Sequence, residues 1–176
     1  MKLYRCRICG ETYLGYDAPS NCPFCGAHVE WMSPPEQYDA AVNDLQLTQV
    51  ERTDLDTSIE VETSNTRFYL AMAARQDNPT LSSAYKRLAK VEAEHCSLFC
   101  KLAKVPKPAD LLEPGDDLGS WLSDIDDSLR REMRATELYS QFAARATNPR
   151  LLEVWSAVSS VEADHIELDA LAKTYI

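Results

Sequence analysis

The sequence contains one helical hairpin twice, and this repeat limits the possible folds more than any other feature. Residues 62–98 and 132–168, aligned at an offset of 70 residues, are identical at 14 of 37 positions. Each copy contains an asparagine followed by a proline: Asn78-Pro79 and Asn148-Pro149. Such a pair is typical of an N-cap with proline at the first helical position, so it ends one helix and begins the next.

The connection between the two copies differs from the turns within them. Residues 105–118 contain three prolines, one glycine and several acidic residues, which exclude a helix. Apolar residues elsewhere recur at spacings of three and four, which predicts helices near 54–77, 79–104, 120–147 and 149–175. Short turns within hairpins and one long crossover between them are typical of ferritin-like bundles. The predicted fold class is therefore all-α, with a ferritin-like four-helix domain over residues 52–176.

Each copy of the hairpin contains a glutamate followed, on its next helix, by Glu-x-x-His. The six residues are Glu62, Glu92, His95, Glu132, Glu162 and His165. A spacing of three puts the carboxylate and the imidazole of one motif on the same helical face. Glu62 lies 16 residues before Asn78 and Glu92 lies 14 after it, so the two glutamates stand at the same height above the turn. The same spacing applies to the second copy, and pairing the hairpins gathers all six side chains in one layer.

Six such ligands suit two metal ions. Four carboxylates cancel the charge of two ferrous ions, which makes four glutamates tolerable inside an apolar bundle. Oxygen-rich ligation with two imidazoles on helices is the di-iron or di-manganese pattern. A single Glu-x-x-His is more often an exposed helical charge pair, but the duplicated and level-matched set favours a metal site.

Two tyrosines accompany the ligands. Tyr69 and Tyr139 follow Glu62 and Glu132 by seven residues, too far along the helix to contact those carboxylates. Each phenol could instead donate a hydrogen bond to a carboxylate of the opposite hairpin and orient it. The alternative is an ordinary core tyrosine on an amphipathic helix.

The N-terminal residues 1–33 form a separate module, and residues 34–51 form a linker that is partly helical. Two matching C-x-x-C-G loops contain the ligands of a tetrahedral four-cysteine site: Cys6, Cys9, Cys22 and Cys25. Zinc would make this site structural, and iron would make it a one-electron carrier. We favour iron because an electron carrier has an evident use beside a di-iron site. Cys96 and Cys100 have no counterparts in the second hairpin, which predicts small buried side chains rather than a redox pair.

Composition excludes several classes of function. The formal net charge of -10 opposes binding to nucleic acid or to anionic lipid. No apolar run approaches the roughly 20 residues that span a bilayer, and the start of the chain lacks a secretory signal. Paired cysteines of the metal-binding type fit a reducing compartment. We expect a cytoplasmic protein without nucleic-acid or membrane partners.

These residues resemble the rubrerythrin family. The C-x-x-C-G, Tyr13 and C-P-x-C-G run is similar to rubredoxin, and the ligand helices with Tyr69 and Tyr139 are similar to the di-iron helices of that family. With the rubredoxin-like module first, the chain resembles the members with reversed domain order. The resemblance covers nearly the whole chain except the linker and residues 105–118.

The resemblance implies a peroxidase that reduces hydrogen peroxide to water at two irons. One iron in the four-cysteine site would deliver electrons, which would come from a nicotinamide-dependent reductase or a rubredoxin. It also implies a homodimer or a larger assembly. The six bundle ligands and the two tyrosines would form the catalytic site.

One departure from the family pattern favours a second hypothesis. Rubrerythrins contain an additional carboxylate within a turn of the third-helix ligand, whereas the next acid after Glu132 is Glu137, which the repeat aligns with Arg67. A symmetric set of six ligands suits a ferroxidase, which oxidises ferrous iron with oxygen. A third hypothesis makes the module a zinc ribbon for protein binding and the bundle a metal-stabilised scaffold.

Overall fold

Four long helices and a small N-terminal sheet make up the computed structural model, which describes residues 1–176. The helices are α1 (Gln49–Ala74), α2 (Pro79–Ala103), α3 (Trp121–Arg145) and α4 (Pro149–Ala172). The strands are β1 (Lys2–Cys6), β2 (Thr12–Gly15) and β3 (Met32–Ser33), which form an antiparallel sheet in the order β2-β1-β3. The predicted fold class, a ferritin-like bundle with a four-cysteine module, is confirmed. No helix carries an apolar stretch that could cross a bilayer.

The helix boundaries differ from the predicted ones mainly in α1. This helix begins at Gln49, inside the predicted linker, because Thr48 and Glu51 form a reciprocal capping box. It ends at Ala74, since Arg75 has an extended backbone and its guanidinium bonds to Asp77 and Asp124. The rest of the linker contains two short 3-10 turns, at Pro35–Gln37 and Ala40–Asn43. The predicted domain boundaries stay predictions.

A duplicated ion pair joins the two hairpins at both ends of the bundle. Arg145 Nε donates to Asp54 Oδ2 at 2.8 Å, and Arg75 Nη1 donates to Asp124 Oδ2 at 3.1 Å. Both aspartates are buried, and the two pairs are related by the same offset of 70 residues as the hairpins. Removing one partner of a buried pair leaves an uncompensated charge, so these pairs fix α1 against α3.

The N-terminal module packs against α2 and α4. Arg150 Nη2 donates to the Ile8 carbonyl at 2.7 Å, and His28 Nε2 lies 2.7 Å from Asp164 Oδ2. A Cβ atom at Gly26 would lie 2.6 Å from Val161 Cγ1, so glycine allows the second cysteine loop to contact α4 closely. Apolar residues of the module and of the bundle belong to one core cluster. The four-cysteine site is thereby held against the helices that contain the two histidines.

Glu51 links the start of α1 to the turn between α3 and α4. Its Oε2 accepts hydrogen bonds from the amide and hydroxyl of Thr48, and its Oε1 accepts from the amide and hydroxyl of Thr147 and from the amide of Asn148. Burial alone would raise the pKa of Glu51, but the bonds from Thr48 and Asn148 outweigh burial and lower the pKa to about 2.

We expect Glu51→Gln to destabilise the protein by about 1–3 kcal/mol, because an amide nitrogen cannot accept the bonds that one carboxylate oxygen accepts. The measurement is urea denaturation of both proteins at neutral pH, with the exposed Glu60→Gln on the same helix as control.

The difference in unfolding free energy between the native protein and Glu51→Gln should become smaller as the pH is lowered. The pKa of Glu51 is lowered from its ordinary 4.5 to about 2, so its contribution is complete above 4.5 and is lost as the pH falls toward 2. A stability difference that stays constant between neutral pH and pH values well below 4.5 would contradict this account.

Candidate metal centres

The sulfur atoms of the four module cysteines all lie within 4.8 Å of one another. Cys6 Sγ lies 3.7 Å from Cys25 Sγ, and Cys9 Sγ lies 3.8 Å from Cys22 Sγ. Metal to sulfur bonds of about 2.3 Å in a regular tetrahedron place sulfurs about 3.8 Å apart. All four side chains are buried, and none forms a disulfide. The cluster has the size that one tetrahedral metal ion requires.

Two glycines shape the loops that hold these sulfurs. Gly10 and Gly26 have φ angles of 88° and 76°, which other residues rarely adopt. Their amides donate to the carbonyls of Cys6 and Cys22, each at 2.9 Å. In the first loop the next amide, that of Glu11, donates to Cys9 Sγ at 3.5 Å. Amides that point at a sulfur stabilise its thiolate form, which is the form that binds metal.

The six predicted bundle ligands meet in one buried layer. They divide into two overlapping groups whose ligand atoms lie within 4.8 Å of one another: Glu62, Glu92, His95 and Glu162 in one, and Glu92, Glu132, Glu162 and His165 in the other. Glu92 and Glu162 belong to both groups and could bridge two metal ions. Glu62 and Glu132 each belong to one group and could be terminal ligands.

The chemistry of this layer fits divalent metal ions. Both oxygens of Glu92 and one oxygen of each other glutamate are buried without a hydrogen-bond donor. Burial and the neighbouring carboxylates raise the pKa of Glu92 and Glu132, because charged forms repel one another in the interior. Burial also opposes a charge on His95, but contacts with Glu162 and Glu62 outweigh it and raise its pKa. Divalent metal ions would bind these carboxylate oxygens and imidazole nitrogens together. Packing of the helices alone leaves the same atoms buried without a partner.

The two tyrosines connect each carboxylate to the opposite hairpin. Tyr139 Oη donates to Glu62 Oε1 at 2.5 Å, and Tyr69 Oη donates to Glu132. Burial, followed by the charge of the glutamate it contacts, raises the pKa of each phenol. Both tyrosines therefore remain protonated donors and orient the terminal carboxylates.

The two predicted metal centres contact each other through His95. Its Nε2 lies 2.8 Å from the carbonyl oxygen of Cys25. A carbonyl can only accept, so Nε2 carries a proton, and in the neutral imidazole Nδ1 has the lone pair that a metal ion would take. Nδ1 lies 3.1 Å from Glu162 Oε1 and 3.7 Å from Glu62 Oε2, inside the carboxylate layer. The sequence contained no signal for this contact, because the acceptor is a backbone atom.

A further buried carboxylate, Asp169, which the sequence analysis missed, lies beside the layer. Asp169 Oδ1 accepts hydrogen bonds from Tyr85 Oη at 2.7 Å and from Ser128 Oγ at 2.9 Å. Burial raises the pKa of Asp169 to about 6. The residue follows His165 by four positions, on the same helical face, where the first hairpin contains Phe99. That difference between the two copies could have revealed it.

The structure also gives the surroundings of three other residues that the sequence analysis discussed, which are Glu137, Cys96 and Cys100. Glu137 is exposed and accepts a bond from Gln141, so no additional carboxylate joins the layer from that position. Cys96 and Cys100 are buried, and burial raises the pKa of the Cys96 thiol to about 12. A protonated and buried thiol is a poor nucleophile.

Comparison with known proteins supports a common origin for the module. Residues 4–32 match the family model described as Rubrerythrin, rubredoxin-like domain. This segment is a rubredoxin-like domain of the rubrerythrin type. The predicted iron, bound by the four cysteines of this rubredoxin-like domain, is in line with that family.

The similarity extends beyond the rubredoxin-like domain. The chain is 33% identical over 112 residues to Reverse rubrerythrin-1 from Clostridium acetobutylicum. The aligned part is 58% of this chain and spans 62% of the length of that relative. No solved structure matches the chain significantly. The recognised resemblance to rubrerythrins of reversed domain order is confirmed, and the two side-chain clusters fit a rubredoxin-like iron site plus a di-iron centre.

Replacing a glutamate that belongs to both groups should remove more iron than replacing a glutamate that belongs to one group. Glu162→Ala removes a ligand from both groups, so we expect both bundle irons to be lost while the four-cysteine iron stays. Glu62→Ala removes a ligand from one group, so one bundle iron should remain. Iron affinity at each affected position should fall by more than ~10–100-fold, which is the effect of removing a residue that only supports a metal ligand.

Iron per chain is measured by mass spectrometry after anaerobic loading and desalting. The absorbance of the ferric four-cysteine site provides an internal count of protein. Glu137→Gln, which changes an exposed carboxylate on the same helix as Glu132, is the control and should bind iron normally. Equal loss in the Glu62 and Glu162 variants would contradict the division into two groups.

Proposed function

We propose that the protein reduces hydrogen peroxide to water at a di-iron centre in the bundle, with electrons supplied through the iron of the rubredoxin-like domain. The observation that carries this proposal is the hydrogen bond from His95 Nε2 to the Cys25 carbonyl. Cys25 is a candidate ligand of one metal centre, and His95 is a candidate ligand of the other. A carrier of single electrons placed in bonded contact with a two-metal site has little use in a purely structural protein.

Glu62, Glu92, His95, Glu132, Glu162 and His165 would hold two ferrous ions, which would supply the two electrons that, with two protons, convert hydrogen peroxide to two molecules of water. The chain determines the geometry and the protons. Glu92 and Glu162 hold the two metal positions together, and the buried layer excludes bulk water. Tyr69 and Tyr139 hold protons next to Glu132 and Glu62, at the edge of the layer.

The path between the two centres is short and lies within one chain. It runs from Cys25 Sγ along that residue to its carbonyl, across the 2.8 Å hydrogen bond, and through the imidazole of His95 to Nδ1. Because the bond fixes the ring orientation, Nδ1 is presented to the metal position with its lone pair available. A homodimer remains part of the proposal, but this path does not depend on one.

A ferroxidase is the second candidate, favoured by the symmetry of the ligands. The two groups of candidate metal ligands are equivalent, each with one unshared glutamate, two shared glutamates and one histidine. The exposed position of Glu137 leaves that symmetry intact. Oxygen would then be the oxidant, and ferrous iron would be the substrate. The proposed electron donor, a nicotinamide-dependent reductase or a rubredoxin, and the cytoplasmic setting belong to the first candidate.

The deciding experiment is stopped-flow absorbance of the anaerobically reduced protein, mixed separately with peroxide and with oxygen at equal concentration. We expect peroxide to oxidise the bundle site at least about tenfold faster than oxygen, a difference of about 1.4 kcal/mol in activation free energy. If oxygen is the faster oxidant, the ferroxidase replaces the peroxidase.

The role of the four-cysteine iron is tested in the same instrument with a matched protein that contains zinc at that site. Both proteins should show the same first oxidation by peroxide, because the bundle site is unchanged. Only the protein with iron at the four cysteines should be re-reduced by added reduced rubredoxin, a protein donor. Equal re-reduction of the zinc protein would contradict electron delivery through the rubredoxin-like domain.

A further inference from the structure

Three aromatic side chains form a line from the carboxylate layer to the end of the bundle opposite the module. Tyr69 contacts the layer through Glu132. Its ring centroid lies 5.8 Å from that of Tyr85, which lies 6.0 Å from that of Trp121. These are the separations of aromatic rings in direct contact. Trp121, the first residue of α3, is buried, with 7% of its surface exposed, and its Nε1 donates to the exposed Asp77, so the line ends just beneath the surface.

Each ring in the line donates a hydrogen bond to a carboxylate. Tyr69 donates to Glu132, Tyr85 donates to Asp169 at 2.7 Å, and Trp121 Nε1 donates to Asp77 Oδ1 at 3.0 Å. An aromatic side chain that loses an electron becomes a strong acid at its O–H or N–H group. A carboxylate in hydrogen-bond contact can take that proton at once, which makes the loss of the electron much easier.

The repeat provides an internal comparison, because the second half of the bundle contains a different aromatic line. Tyr139, Phe142 and Trp155 are in ring contact, with centroids 6.3 and 5.4 Å apart, but Phe142 has no O–H or N–H proton to give to a carboxylate. Trp155 stands where the first hairpin has Tyr85, and Phe99 stands where the second has Asp169. Trp155 is fully buried and donates only to Ser58 Oγ, at 3.1 Å. The six metal ligands are the same in both halves, so metal binding does not account for the difference. Asp169 is a buried carboxylate outside both ligand groups, which costs free energy without a compensating use.

The surface end of the line is electrostatically balanced. The Arg75 guanidinium lies 4.9 Å from the centre of the Trp121 ring and would oppose a positive charge there. Arg75 is itself paired with Asp77 at 2.9 Å and with Asp124 at 3.1 Å. Because Asp77 is exposed, a proton that it receives from Trp121 can pass to water.

We propose that Tyr69, Tyr85 and Trp121 conduct electrons from the surface of the bundle to the metal layer, as a second entry that does not use the four-cysteine site. This inference rests on the proposed function, which supplies the oxidant. When the four-cysteine iron is already oxidised, peroxide at the layer takes its electrons through this line instead. The electron source at Trp121 is a small one-electron reductant in solution, such as ascorbate or a thiolate.

Electrons and protons balance at each step. Peroxide held at the layer would be the oxidant: it would draw one electron from Tyr69, whose phenol proton passes to Glu132. Tyr85 then reduces the Tyr69 radical, which recovers its proton from Glu132, while the Tyr85 proton moves to Asp169. Trp121 reduces the Tyr85 radical in the same way and releases its Nε1 proton to Asp77. Asp77 gives the proton it received to water, and ascorbate returns one electron and solvent one proton to Trp121. Two such passages, with two further protons taken up from solvent at the layer, reduce one peroxide to two waters.

The test uses the diferrous protein with zinc at the four cysteines, so that the other electron supply is absent. The protein is mixed with excess peroxide, and in a parallel arm with excess oxygen, and frozen within milliseconds for electron paramagnetic resonance. Ring-deuterated tryptophan distinguishes tryptophan from tyrosine radicals. Absorbance in the same samples reports oxidation of the bundle iron independently of any radical.

We expect a tryptophan radical that disappears in Trp121→Phe and in Tyr85→Phe and that decays faster when ascorbate is added. Asp169→Asn should also prevent it, because the asparagine oxygen still accepts the bonds from Tyr85 and Ser128 but cannot take a proton. Trp155→Phe, at the repeat-related position, is the matched control and should retain the radical.

The outcomes separate the two proposals. Rapid oxidation of the iron by peroxide without a tryptophan radical, or with a radical unchanged by Tyr85→Phe, overturns the electron path and leaves the peroxidase intact. Iron that peroxide does not oxidise overturns the peroxidase, and the oxygen arm alone then decides the electron path. A radical lost equally in Trp155→Phe would also overturn it.

Discussion

Four carboxylates buried in one layer are the constraint on which the rest of this structure depends. Glu62, Glu92, Glu132 and Glu162 cannot all be charged in an apolar interior unless cations of equal charge lie among them. The two histidines and the two tyrosines complete the layer, and the ion pairs at both bundle ends hold α1 and α3 at the right separation. Folding of the bundle and binding of its metal are therefore linked, because the same side chains that favour the holo form oppose the apo form.

The module is docked by the backbone of its own cysteine loops. Three carbonyls of the two loops accept hydrogen bonds from the bundle: Ile8 from Arg150, Cys9 from Lys101 and Cys25 from His95. Docking of this kind places the four-cysteine site without using its sulfurs, which remain available to the metal. It also couples the two centres, since any shift of the second loop changes the orientation of His95.

Spacing in the sequence was sufficient to predict the ligand layer, because helices of known rise on both sides of two equivalent turns allow only one level for the glutamates. The start of α1 was misplaced because the capping residues Thr48 and Glu51 lie in a segment without strong apolar periodicity. The contact of His95 with the Cys25 carbonyl could not be predicted, since a backbone acceptor 70 positions away has no residue signature. Asp169 is marked in the sequence only by its mismatch with Phe99 in the repeat, and a mismatch alone does not indicate that a carboxylate is buried.

Duplication produces a symmetric centre, whereas a reaction with separate sources of electrons and protons requires an asymmetric one. The ligands are identical in both halves, but their surroundings differ: His95 contacts the module, and Asp169 replaces an aromatic residue beside His165. Such differences lie one layer outside the metal positions, where substitution alters access to electrons and protons without disturbing the ligands. In a duplicated bundle, identical positions therefore indicate the cofactor, and the positions that differ indicate what the cofactor is used for.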